Sequence, residues 1–209
     1  MGSRDLGLET LGVLVDPSGL VAVSRLALNP MGEEVNKVEA GPGQEIDIVS
    51  KLASVAVILA DGTRVEAAVV FTDPQRDVSF VRTREPLEGR VNPVSLAEAS
   101  STMPGLLDEV LVLGRTGATT AGASSITLER ISAMLETPWD CLQVNAPGGS
   151  AIYDKGGRFV GLAVHVFAGQ SEDGSGGLMA AMMGLHDAGR RNRRLARGAA
   201  VCSSTRRGR

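Results

Sequence analysis

Short, largely apolar runs recur along most of the chain, separated by clusters of Gly, Pro and Asp. LETLGVLVD (8–16) and LVAVSRLAL (20–28) flank Asp16-Pro17-Ser18-Gly19. Pro presets φ at the second turn position and Gly relieves the exit, so the pattern predicts a hairpin. SVAVILA (54–60) and TRVEAAVVF (63–71) flank Asp61-Gly62, a strong hairpin signal, and DVSFVRT (77–83) alternates as a short strand. Residues 29–45 are polar and irregular and read as a surface loop.

Residues 85–109 carry three prolines and few sustained apolar patterns, which marks a connection between halves. A second series follows: 109–114, 123–135, 139–146, 150–154, 158–167 and 176–183. Only 183–196 has a helical pattern. About six short strands per half, joined by turns, predict an all-β sandwich or barrel rather than βαβ units. The expected division is an N-terminal barrel (1–90), a connection (91–108), a C-terminal barrel (109–189) and a tail (190–209).

Composition narrows this little. At 209 residues, with 43% hydrophobic and 22% charged side chains, the chain has the balance of a soluble globular protein. Only 3% of residues are aromatic, so the core is expected to be mostly aliphatic. No apolar run reaches membrane-span length, and the N-terminus lacks a signal-peptide pattern. The chain is therefore cytoplasmic, or an address segment is missing from it; localisation stays open.

Charge is unevenly placed. Residues 190–209 hold eight arginines and no acid, so the body carries 13 basic against 24 acidic side chains, a balance of −11. The tail is expected to be a disordered, solvated terminus. No aromatic interleaves its arginines, which argues against a specific nucleic-acid partner. Cys141 falls in an expected strand and Cys202 in the tail, so no bridge between them is expected.

Several chemistries find no motif. GRTGATTAGA (114–123) lacks the lysine of a phosphate loop. The chain's two histidines, His165 and His186, and its two cysteines do not make a zinc spacing. SEDGSGG lacks the alternating ligands of a calcium loop. No metal and no cofactor are expected.

Four stretches, in order, resemble HtrA/DegP-type trypsin-like serine proteases: VLVDPSGLVAVSRLALN, LADGTRVEAAVVFTDPQRDVSFVR, EVLVLGRTG and PGGSAIYDKGGRFVGLAV. The resemblance spans about residues 8–185. It implies two packed six-stranded antiparallel barrels, with a strand at GLMAAMM and a short C-terminal helix. It places the triad histidine at Leu26, the aspartate at Asp77 and the nucleophile at Pro147. The loop before Gly148-Gly149, whose amides form the oxyanion hole in active relatives, is several residues shorter here. Relatives of this type often continue into a peptide-binding domain, trimerise, and reside in the periplasm or at membranes.

Leucine carries no proton and proline no nucleophile. Losing either triad function costs on the order of a millionfold in rate. This implies a degenerate homologue with no intact catalytic set, in which Leu26, Asp77 and Pro147 meet at the inter-barrel crevice. No imidazole is expected there against a hydroxyl or thiol. Asp77 is expected to accept backbone hydrogen bonds at a strand start. Ser150 is the fallback nucleophile, although no strand-to-helix elbow surrounds it, and Cys141 is a weaker one. Gly148, Gly149 and His165 are the candidates to line the cleft; His186 is expected to face solvent.

Two functions compete. One is a peptide- or protein-binding module that keeps the protease fold and takes an extended peptide in the cleft. The other is an active endopeptidase with displaced groups. Oligomeric state has no sequence signal.

Overall fold

The computed structural model describes residues 7–30, 35–41, 44–49, 51–96, 98–100, 102–116, 122–136, 140–165 and 199–202. The first hairpin forms around DPSG, with β1 (Gly12–Asp16) and β2 (Leu20–Ser24) antiparallel. Gly19 N donates to Asp16 O at 3.0 Å, closing the turn.

The second strand is shorter than its apolar run predicts. Residues 25–28 form one helical turn, α1 (Arg25–Leu28). Ser24 caps it, accepting from Ala27 N at 3.2 Å. Arg-Leu-Ala-Leu contains no β-branched residue and favours helix once a serine cap stands before it.

β3 (Val35–Gly41) and β4 (Gln44–Val49) pair as a separate two-stranded hairpin. The polar loop expected over 29–45 is thus in part a strand pair. Its signal lies across the expected boundary, where Ile46 and Ile48 alternate with Glu45 and Asp47.

β5 (Val55–Ile58), β6 (Arg64–Asp73) and β7 (Val78–Thr83) complete a five-stranded antiparallel sheet in the order β1-β2-β7-β6-β5. Asp61-Gly62 turns the chain between β5 and β6, with Thr63 N donating to Asp61 Oδ1 at 2.8 Å.

The second sheet contains β8 (Glu109–Arg115), β9 (Ser124–Arg130), β10 (Ala133–Leu135), β11 (Cys141–Val144), β12 (Ala151–Asp154), β13 (Phe159–His165) and β14 (Ala199–Cys202). Its order is β10-β11-β14-β13-β12-β8-β9. The apolar stretch 123–135 is divided at Ile131-Ser132, where Ile131 is buried and Ser132 N bonds to Gln143 O.

Among the described residues, then, the strands divide five, seven and two, not six and six. β14 lies inside the segment expected to be a disordered tail. It pairs with β11 and β13 along its whole length. The strand expected at 176–183 and the helix expected at 183–196 lie outside the described residues, as does His186.

Three groups of buried side chains explain the layering. Val21, Val23 and Val81 fill the first sheet. Val110, Val112, Leu142, Val144 and Ile152 fill the second. Val13 and Ala22 meet Leu162 and Val164 between the sheets. β13 is buried on both faces, which suits its unbroken apolar run. Each buried Val, Leu or Ile contributes roughly 1.5–3 kcal/mol.

The connection is tied to both halves. Leu87, 1% exposed, packs with Leu59 and Val65. Val94 N bonds to Leu14 O, and Ser100 N to Phe159 O.

Candidate functional site

Asp77 sits where a tight turn enters β7. Asp73 Oδ1 accepts from Gln75 N at 3.0 Å and Arg76 N at 3.2 Å, and Arg76 pairs with its carboxylate at 2.8 Å. These bonds, the Arg76 side-chain bond first, hold the Asp73 pKa below the usual aspartate value. The chain leaves the turn with Asp77 at φ +53°, an unfavoured conformation for a residue with a Cβ.

The contacts of Asp77 account for that conformation. Its side chain is buried. Oδ1 accepts from Leu26 N at 2.8 Å. Oδ2 accepts from the Ser24 hydroxyl at 2.6 Å and from His165 N at 3.0 Å. Its own carbonyl accepts from Arg25 N at 2.9 Å. One aspartate thus ties β2, α1 and β13 together across both sheets. Bonds to a charged acceptor contribute roughly 1.5–3 kcal/mol each, more than the strained φ costs.

His165 ends β13 with its side chain 42% exposed. Its Nδ1 is 3.1 Å from Ser24 Oγ and 3.9 Å from Asp77 Oδ2. The expectation of a crevice without an imidazole against a hydroxyl is therefore corrected. The two groups are 141 residues apart in sequence, and nothing local pairs them.

The order of the three groups matters. In a serine protease the imidazole stands between carboxylate and hydroxyl. Here the hydroxyl stands between carboxylate and imidazole. Ser24 Oγ has one proton and two lone pairs. The proton goes to Asp77, and the lone pairs receive Ala27 N and His165 Nδ1. With the hydroxyl proton on Asp77, the His165 Nδ1 contact is one in which Ser24 Oγ accepts. Ser24 is also 0% exposed.

The His165 ring lies over Gly148, and any Cβ at 148 would collide with it. Gly149 adopts φ +87°, and a Cβ there would meet the Leu11 carbonyl. Gly149 N donates to Ala163 O at 2.7 Å and Ser150 N to Pro147 O at 3.2 Å. The Gly pair is thus fitted against both β13 and Leu11 just before β1, with the Gly149 amide bonded to β13 and the Ser150 amide bonded within the turn.

The structure brings the amide of Leu26 onto Asp77 and joins Asp77 through His165 to Gly148, the neighbour of Pro147. Ser150 is 1% exposed, and its hydroxyl has no hydrogen-bond partner among the described residues. Cys141 is 2% exposed, within β11. Ser24 was not singled out from the sequence. A serine before Arg-Leu-Ala-Leu signals a helix cap, and no sequence pattern signals its bond to Asp77, 53 residues away.

Beside α1 lies a cavity of about 640 Å³, lined by Arg25, Leu28, Leu52, Val55, Val69 and Thr72 among others. No group of three or more His, Cys, Asp or Glu among the described residues is placed to hold a metal ion. No helix among them is long and apolar enough to cross a membrane.

Comparison with known proteins gives the family. The profile of the trypsin-like peptidase domain matches residues 11–162. Among solved structures, the active form of the Rv3671c protease from M. tuberculosis superposes with a TM-score of 0.55 at 16% identity, covering 94% of this chain and 69% of that one. The inactive form of Rv3671c gives 0.54 at 16% identity, covering 94% and 79%. The serine endoprotease from Yersinia pestis gives 0.51 at 21% identity, covering 78% of this chain and 52% of that one. No curated protein shows significant similarity. These likenesses show the fold. With its peptidase profile running from β1 into β13, the chain belongs to the trypsin-like peptidase domain family.

Proposed function

We propose that this chain keeps the trypsin-like architecture, two sheets in the role of the two barrels, without peptidase chemistry. It serves as a peptide- or protein-binding module. The observation that carries this reading is the saturation of the Ser24 hydroxyl between Asp77 and His165. A nucleophile needs a free lone pair, a base to take its proton, and access to a carbonyl carbon. Ser24 has its proton committed to the carboxylate and is closed to solvent. Leu26 and Pro147 supply neither base nor nucleophile, and the amides of Gly149 and Ser150 already have acceptors. An extended peptide would lie along the crevice of Gly148, Gly149 and half-exposed His165.

A second reading is favoured by one observation: a serine, a histidine and an aspartate do lie together. A rearrangement that turned the Ser24 proton toward His165 would give a displaced peptidase site. A peptide library incubated with the folded chain separates the two. The binding module gives a saturable binder, weakened by His165→Ala, and no new peptide termini. New termini that vanish in Ser24→Ala or Ser150→Ala establish the peptidase. A library with neither binder nor cleavage overturns both.

A further inference from the structure

We propose that the cavity beside α1 binds an aliphatic monocarboxylate, of the class of a medium-chain fatty acid, with Arg25 receiving its anionic end. The cavity holds about 640 Å³. That lies within the roughly 300–1,000 Å³ usual for small-molecule sites. Neither Gly148, Gly149 nor His165 lines it, so it is separate from the crevice and does not depend on a peptide binding there.

The apolar side of the cavity is core surface left uncovered. Val69 of β6 stands opposite Val81 of β7, and opposed residues of an antiparallel pair share a face. Val81 is 2% exposed within the first core, whereas Val69 is 39% exposed. Leu52, ahead of β5, is 37% exposed. Both line the cavity together with Leu28 and Val55, which pack partly buried against that core. Ala67, two positions before Val69 on the same strand face, is too small to fill the gap. An aliphatic chain would cover this surface, and removing it from water drives the contact.

The polar side calls for an anion. Arg25 lines the cavity, and no acidic residue among the described residues does. Arg25 Nε is buried and has no hydrogen-bond partner among the described residues. It stands 3.9 Å from Asp77 Oδ1, too far for a hydrogen bond. That carboxylate already accepts from Leu26 N, Ser24 Oγ and His165 N. A guanidinium is a planar fork of N–H donors that matches a carboxylate in a bidentate pair. Thr72 and Ser79 also line the cavity, with their hydroxyls 3.1 Å apart. One proton lies between the two oxygens, and the other remains to be given to an acceptor. A peptide suits the site less well, because each peptide unit brings an N–H and a C=O that aliphatic side chains cannot satisfy.

The test titrates the full chain with octanoate by calorimetry, at concentrations where octanoate is monomeric. One saturable site per chain is expected. Octan-1-ol keeps the chain and lacks the charge, and should bind at least about tenfold more weakly. Butyrate keeps the charge and loses four methylenes, and should also bind at least about tenfold more weakly. Arg25→Met keeps an unbranched side chain. It should weaken octanoate at least about tenfold and leave octan-1-ol within about twofold. Val69→Trp, which fills the space, should weaken both; should it fail to fold, the ligand series on the natural chain still decides. Absence of a saturable octanoate site would overturn the proposal. So would octan-1-ol or butyrate binding as tightly as octanoate, or an Arg25→Met chain that binds octanoate unchanged. An N-acetylated apolar tripeptide with a free C-terminal carboxylate that displaces octanoate and binds more tightly would overturn it in favour of a peptide end.

Discussion

The main-chain amide of His165 donates to Asp77 Oδ2 at 3.0 Å, while its ring passes the carboxylate, with Nδ1 3.9 Å from that oxygen. The aspartate holds the backbone of the histidine and leaves its ring to the Ser24 hydroxyl, 3.1 Å away. A triad aspartate orients a ring, whereas this one joins strands.

Asp77→Ala removes three acceptor contacts from Leu26 N, Ser24 Oγ and His165 N. Buried donors left without acceptors cost roughly 1–3 kcal/mol each, partly relieved by water. Urea denaturation should show a loss on the order of 3 kcal/mol, and a smaller one for Asp77→Asn, which keeps one acceptor.

Gly148→Ala places a methyl where the His165 ring lies. Overpacking of this kind costs about 1–3 kcal/mol. Gly148→Ala combined with His165→Ala should recover most of that loss, since the second change vacates the space. A double-mutant cycle on unfolding free energies reads the coupling directly.

Leu87→Ala tests whether the connection belongs to the first core. Leu87 packs with Leu59 and Val65 at 1% exposure, so truncation should cost about 2–5 kcal/mol. A loss below about 0.5 kcal/mol, the range of surface changes, would show that the connection only spans the two halves.

Acid should loosen the turn that presents Asp77. The Asp73 pKa is lowered from 3.8 in the folded chain, chiefly by its bond to Arg76. A depressed folded pKa contributes stability that is complete above the unfolded value and is lost as pH falls through the folded one. Stability should therefore decline below 3.8, and the decline should be shallower in Asp73→Asn, as read from urea midpoints on either side of that value.

Much of the framework is legible along the chain because local rules set it. Asp16-Pro17-Ser18-Gly19 and Asp61-Gly62 fix two turns by backbone preference, alternation marks β7, and short apolar runs mark β8 and β12. The helical turn after Ser24 was masked by apolar residues that suit strand and helix alike. β3 and β4 were masked by charged side chains, although Ile46 and Ile48 keep a period of two. β14 has too few residues to show a period at all.

The site divides in the same way. Asp77 is marked by its place after a T-D-P turn, and Gly148 and Gly149 by their order before an apolar strand. The bond between Ser24 and His165 joins residues 141 apart, and only the packing of β2 against β13 brings them together.

Intact-mass analysis after exposure to a fluorophosphonate tests the central claim most directly. The folded chain should gain no phosphonyl adduct, because the Ser24 hydroxyl is closed off and saturated and the Ser150 hydroxyl meets no base among the described residues. A single stoichiometric adduct, lost in Ser24→Ala or Ser150→Ala, would contradict that account.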